Sequence, residues 1–247
     1  PRAETLFAPA VKTLWINLFH PDRKAGKAPC IVNIHGYGQT ISLFSKPIKA
    51  FYEAGYAIAN VDLRNYPSNY YPDYIHDVKG AIRFLRANAE RYGIDPDRIG
   101  CYGQSLGGNT ALMVAISAED ENLEGTVGGN SGVSSRVQAA VAGFAWSDLL
   151  NMGKDILDEY QNEPELLPQK YARTDGEFSP CSEVIGFTGK GKGIGALREY
   201  MEKGQAGSDP EWDQKLAEAK DASPISHILA PGGLIRRLRH ETRGHRQ

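Results

Sequence analysis

Gly103-Gln104-Ser105-Leu106-Gly107-Gly108 sets a serine at the centre of a glycine-flanked turn. An apolar run, Arg98-Ile99-Gly100-Cys101-Tyr102, leads into it, and a helix-like run, Asn109 to Val114, leads out. A strand, a sharp turn and a helix with a serine at the apex is the setting of a nucleophile elbow. Such a turn forces the serine into a strained backbone, and glycines beside it make the room. The chain holds 27 glycines, so the flanks, not the bare pattern, carry the argument. A serine hydroxyl is a poor nucleophile at neutral pH; it needs a base for its proton and donors for the oxyanion. His35-Gly36-Tyr37-Gly38 directly follows another apolar run and can aim backbone N–H groups at an ester oxygen. The N–H of Leu106, next after the serine, is a further donor. Losing one such donor raises the barrier by ~3 kcal/mol.

Other chemistry-bearing residues read as structural. Ser131 in Gly128-Gly129-Asn130-Ser131-Gly132 lacks a strand-turn-helix setting and reads as a loop residue. Asp62 is expected to pair with Arg64, and Asp77 to sit at a helix start. The run Gly189-Lys190-Gly191-Lys192-Gly193 lacks phosphate-loop spacing and reads as a flexible loop. Tyr66, Tyr70, Tyr71 and Tyr74 crowd one stretch, either packing beneath it or walling a cleft suited to an aryl ester. His20, His76 and His227 have no base-like context. Neither metal-ligand spacing nor a dinucleotide fingerprint is present, so no cofactor is expected.

The elements that must position these residues follow from periodicity. Thr13 to Phe19 alternates and reads as a half-buried strand near a sheet edge. Cys30 to Ile34, Tyr56 to Val61, Ile99 to Tyr102 and Val137 to Phe144 read as buried strands. Between them, Lys46 to Ala54 reads as a helix closed by Gly55. Ile75, Val78, Ile82, Leu85 and Ala89 mark an amphipathic helix ended at Gly93, and Thr110 to Ser117 follows the elbow. Alternating strands and helices imply a mostly parallel sheet with helices on both faces. From residue 150 to 221 the pattern is polar, with helical pieces at Ala196 to Lys203 and Glu211 to Lys220, and reads as a cap or lid insertion.

At 247 residues the chain is one large domain with an insertion, and 41% hydrophobic residues suffice for a core. A net charge of −2 suggests neither a nucleic-acid binder nor a polybasic membrane surface. No apolar run is long enough to span a bilayer, and no signal-peptide core follows the N-terminus. Cys30, Cys101 and Cys181 are odd in number and widely spaced, which fits buried thiols in a reducing cytoplasm.

The chain resembles an α/β-hydrolase of the esterase/lipase group, which includes hormone-sensitive-lipase-like carboxylesterases and bacterial feruloyl and acetyl-xylan esterases. The likeness is carried in order by the turn at His35 to Gly38, Gly55 to Arg64, Asp77 to Ala89, Tyr92 to Gly100, the elbow, and Ala222 to Ile228. It implies an α/β-hydrolase core over residues 1–149 and 222–230, a cap over 150–221, and a small-molecule ester as substrate. Ser105 is then the nucleophile, and Tyr37, Gly38 and Leu106 supply oxyanion-hole N–H groups. Tyr37 stands where the family has glycine, which keeps the backbone donor and narrows the acyl pocket.

Such hydrolases order their triad Ser, Asp or Glu, His. Here residues 231–247 form an arginine-rich tail without the acid- and histidine-bearing turns of the family. The expectation is therefore a chain altered or truncated at its C-terminus, its last strands missing and its sheet edge covered in a homodimer. The tail reads first as a solvated basic segment; the functional alternative makes His240 or His245 a substitute base, oriented by Glu241 or by an acid elsewhere. The leading function is a serine carboxylesterase on short-chain or aryl esters. A weakly active or non-catalytic binding protein, and an amidase or formamidase on the same site, are the alternatives.

Overall fold

The computed structural model describes residues 2–6, 13–21, 26–39, 41, 45–64, 67–118 and 120–229. Contacts divide the chain into two units, Pro1–Arg64 with Pro72–Ala145, and Asn65–Tyr71 with Trp146–Gln247.

The first unit is built on β1 (Arg2–Leu6), β2 (Leu14–Phe19), β3 (Ala28–Ile34), β4 (Ala57–Val61), β5 (Ile94–Gln104) and β6 (Ala139–Gly143). They form one sheet in the order β1-β2-β4-β3-β5-β6. β2 is antiparallel to both neighbours, and β4, β3, β5 and β6 run parallel. The parallel strands are joined through α1 (Lys46–Glu53), α2 (Asp73–Ala87), α3 (Ala89–Tyr92) and α4 (Leu106–Ile116). This is the expected mostly parallel sheet. β4 is buried at every position, as a strand covered on both faces must be. Its one polar member, Asn60, accepts from Asn33 Nδ2 at 2.8 Å and donates to the Ile41 carbonyl at 3.0 Å. The helix ends also match expectation: Gly55 and Gly93 take φ of 92° and 67°, the left-handed conformation that stops a helix.

β1 was not legible in its sequence, and its pairing makes β2 an internal strand rather than one at the edge. α2 carries two cations in its buried face. Lys79 Nζ donates to the Ser117 carbonyl at 2.6 Å and to Glu124 Oε2 at 3.2 Å. Arg83 donates to Glu124 Oε1 at 2.6 Å and to the Val127 carbonyl at 2.9 Å. These bonds hold the loop after α5 (Glu121–Glu124) against α2.

The second unit is helical among its described residues: α6 (Met152–Glu159), α7 (Leu167–Thr174), α8 (Pro180–Val184), α9 (Ile194–Glu202), α10 (Pro210–Asp221) and α11 (Pro224–Leu229). Phe187 and Tyr200 pack on Trp212 with ring centroids 5.0 and 5.2 Å away, and a buried Arg198–Asp175 pair ties α9 to the end of α7. Residues 222–229, expected in the hydrolase core, group with this unit. The Gly189–Gly193 run is the loop before α9, with Gly193 as the residue that starts the helix.

Candidate active site

In the sheet order, β4 lies on one side of β3 and β5 on the other. The connections leaving β3 and β5 therefore diverge, and open a crevice at the carboxyl ends of these strands. His35–Gly38 follows β3, and Ser105 follows β5, so both predicted halves of the site fall at this switch point.

Ser105 has φ 55° and ψ −124°, a conformation that L-residues occupy only under constraint. Its N–H donates to the Gly143 carbonyl at 2.9 Å, and its carbonyl accepts from Asn109 N at 2.9 Å. The glycines around it are steric necessities. A Cβ on Gly103 would overlap the Gly107 carbonyl, and one on Gly107 would overlap the Ile34 carbonyl and lie 2.8 Å from that of His35. On Gly108 it would lie 2.7 Å from the Gly143 oxygen, and on Gly36 3.3 Å from that of Gln104. The elbow, the turn after β3 and the end of β6 thus interlock backbone against backbone.

Tyr37 and Gly38 form the centre of the turn, closed by Gln39 N–H donating to the Gly36 carbonyl at 3.2 Å. Leu106 opens α4, so its N–H has no carbonyl inside the helix to donate to. It lies at the positive end of an eleven-residue helix, where developing negative charge is favoured. The Ser105 N–H is engaged by Gly143, a role for β6 that residue types alone did not reveal.

The other candidates separate from this site. Arg64 pairs with Asp77, not Asp62, through Nε and Nη2 at 2.8–3.1 Å, and its N–H donates to Asp77 Oδ2 at 2.7 Å. Asp77 lies inside α2, one turn beyond its start, and fixes the loop after β4. Burial raises its pKa, with Arg64 acting against that. Ser131 sits in an exposed turn with Gly128, Gly129 and Asn130 at positive φ. Tyr74 is buried in α2, and Tyr71 is buried with its hydroxyl on Asp221 Oδ2 at 2.7 Å; both bear out the packing reading. Tyr70 is 38% exposed, and Tyr66 lies outside the described residues. The thiols of Cys30, Cys101 and Cys181 are pushed up to about 12 by burial, so none competes as a nucleophile at neutral pH.

Each described histidine bonds a backbone carbonyl: His20 that of Gly93, His35 that of Gly36, His76 that of Asn122, and His227 that of Asp221. His227 differs from its sequence reading, because the Asp221 carboxylate lies 3.4 Å from its Nε2. Within the first unit, the bonds of the described histidines His20, His35 and His76 go to carbonyls and not to the Ser105 hydroxyl. His240, Glu241 and His245 lie outside the described residues. No group of three or more His, Cys, Asp and Glu among the described residues could hold a metal ion.

The profile of the BD-FAE family matches residues 16–184. Two relatives from Mycobacterium tuberculosis are similar in sequence. Esterase LipQ is 32% identical over 66% of this chain and 40% of its own length. The probable carboxylic ester hydrolase LipM is 33% identical over 40% of this chain and 22% of its own. The chain thus spans less than half of either relative. Among solved structures, a thermophilic esterase of Thermogutta terrifontis with propionate bound covers 93% of this chain and 68% of its own, at 19% identity and TM-score 0.59. A truncated carbohydrate esterase from gut microbiota covers 92% and 73%, at 24% identity and TM-score 0.58. These likenesses, with the strand order, make the fold that of an α/β-hydrolase.

Proposed function

Because the chain belongs to the BD-FAE family, we propose that it is a serine carboxylesterase acting on short-chain or aryl esters through an acyl-enzyme on Ser105. The backbone of Ser105, held at φ 55° by glycines that admit no side chain, is the observation that carries this reading. The Ser105 hydroxyl attacks the ester carbonyl, and N–H groups of Tyr37, Gly38 and Leu106 hold the oxyanion. Collapse expels the alcohol and leaves an acyl-serine, which water hydrolyses. The Tyr37 side chain at the family's glycine position narrows the acyl pocket and favours short acyl groups. His240 or His245, with Glu241, is the base in this scheme. Residues 150–221 are, in this scheme, the insertion that sets specificity. Three free, buried cysteines favour a reducing cytoplasm, and no described helix is long and apolar enough to cross a membrane. Ser105→Ala abolishes turnover of p-nitrophenyl acetate on this scheme; undiminished turnover rejects it.

A second reading follows from the sequence of residues 231–247, an arginine-rich tail without the acid- and histidine-bearing turns of the family. On that reading the chain binds esters with weak turnover, since an oxyanion hole without its base retains roughly 10³-fold catalysis over water. Fast labelling of Ser105 by a fluorophosphonate selects the first reading, and slow labelling with measurable ester binding selects the second.

A further inference from the structure

Resting on Ser105 as nucleophile and on Tyr37 as a wall of the acyl pocket, we propose that Phe144 sets specificity on the opposite flank. Its ring receives the departing alcohol of the ester and favours an aryl one. Among the described residues, three that are not glycine have positive φ: Ser105, Asn130 and Phe144. Asparagine tolerates this conformation, and Asn130 lies in an exposed turn. Phe144, at φ 53°, is a bulky residue where a glycine would be unstrained. Outliers of this kind collect at functional sites.

The two strained residues meet at one hydrogen bond, from the Ser105 N–H to the Gly143 carbonyl at 2.9 Å. A carbonyl oxygen and the next Cα lie on the same side of a trans peptide, so this bond holds the Phe144 Cα within about 6 Å of the Ser105 nitrogen. A Cβ on Gly108 would lie 2.7 Å from the Gly143 oxygen and 3.2 Å from Ala145 Cβ. Both neighbours of Phe144 thus rest against α4, and Phe144 is the apex between them, 90% exposed. Burial of its ring therefore does not offset the strain. β5 lies between β3 and β6, so the donor turn after β3 flanks Ser105 on one side and Phe144, after β6, on the other. With oxyanion and acyl group on the Tyr37 side, the alcohol faces Phe144. A phenyl ring offers that group an apolar face and no hydrogen bond, and it gains most from a second aromatic ring.

The test uses the whole chain and two esters of one acid, phenyl acetate and ethyl acetate. Both form the same acetyl-Ser105, so kcat/KM reports the acylation step, in which the alcohol leaves. In Phe144→Ala, kcat/KM for phenyl acetate falls about fivefold, the factor one aromatic pair represents, and that for ethyl acetate is unchanged. Phe144→Tyr keeps the ring and restores the phenyl acetate value. An unchanged phenyl acetate value in Phe144→Ala overturns the role of Phe144 and leaves Ser105 in place. So does a loss in Phe144→Tyr as large as in Phe144→Ala, or an equal fall for both esters; if sedimentation changes with that fall, Phe144 belongs to a contact between copies. An unchanged chain that is labelled at Ser105 by a fluorophosphonate but hydrolyses neither ester also overturns it. One that is not labelled removes the nucleophile assignment, and the role of Phe144 with it.

Discussion

At the residue scale, the strain at Ser105 is held by absences of side chain. Position 107 has no space because backbone, not a movable side chain, fills it: the carbonyls of Ile34 and His35. Gly107→Ala must displace β3 or the elbow. The expected cost is about 3 kcal/mol, an overpacking cost, or a fall of about 6–12 °C in melting temperature for a chain of this size. Ser105 labelling by a fluorophosphonate should drop with it. Gly132→Ala is the control, since nothing lies within 4 Å of its Cβ position. Equal melting temperatures for the two variants would show that the close approach is relieved without strain. Gly103, Gly107 and Gly108 were legible as a motif, and the flanking periodicity placed them correctly. What residue types did not carry was the reason for Gly107 and Gly108, because the carbonyls that obstruct them, those of Ile34, His35 and Gly143, lie outside the motif.

At the element scale, α2 is held by charge as well as by its apolar stripe. Ile75, Val78, Ile82 and Leu85 were readable from their spacing, whereas nothing in that spacing marked Lys79 and Arg83 as buried. The structure buries both, with Glu124 as shared partner. Burial raises the Glu124 pKa, but hydrogen bonds from Ser135, Arg83 and Lys79 outweigh it and leave the carboxyl below its ordinary 4.5. Lys79 is lowered by burial, so its charge opposes folding while Glu124 favours it. The sign for Glu124 follows: a depressed folded pKa contributes stability above pH 4.5, lost as pH falls through the folded value. Glu124→Gln leaves two buried cations without their carboxylate. It should cost about 2–3 kcal/mol at pH 7, reduced from a fully buried pair because Glu124 is partly exposed. The gap closes toward pH 3, where the native carboxylate is itself protonated. Urea unfolding of both chains at the two pH values checks this, and a gap that persists undiminished in acid contradicts the charge argument. β1 was illegible for a simpler reason: five residues of mixed polarity become a strand only because β2 offers an edge to pair with.

At the scale of the whole molecule, the remaining question is what covers β6. Among the described residues β6 is paired only with β5. Val141 is 49% exposed and Phe144, just past the strand, 90% exposed. Ala139 and Val141 also line a cavity of about 290 Å³ with Ile31, Phe51, Tyr56 and Cys101, so the edge that is unpaired among the described residues shares these side chains with an apolar hollow. The β6 edge, Ala139–Gly143, carries none of the lysines or prolines that keep edges apart. A second copy pairing β6 against β6 would satisfy both edges by one two-fold operation and bury the apolar side chains beside them. The chain is therefore expected to sediment as a dimer at micromolar concentration. Val141→Lys puts a charge in the middle of the edge without touching the β5–β6 hydrogen bonds. It should shift the sedimentation to monomer while the far-ultraviolet circular dichroism stays the same. A monomer from the unchanged chain at that concentration would leave this edge without its proposed cover, and a dimer indifferent to Val141→Lys would move the interface elsewhere.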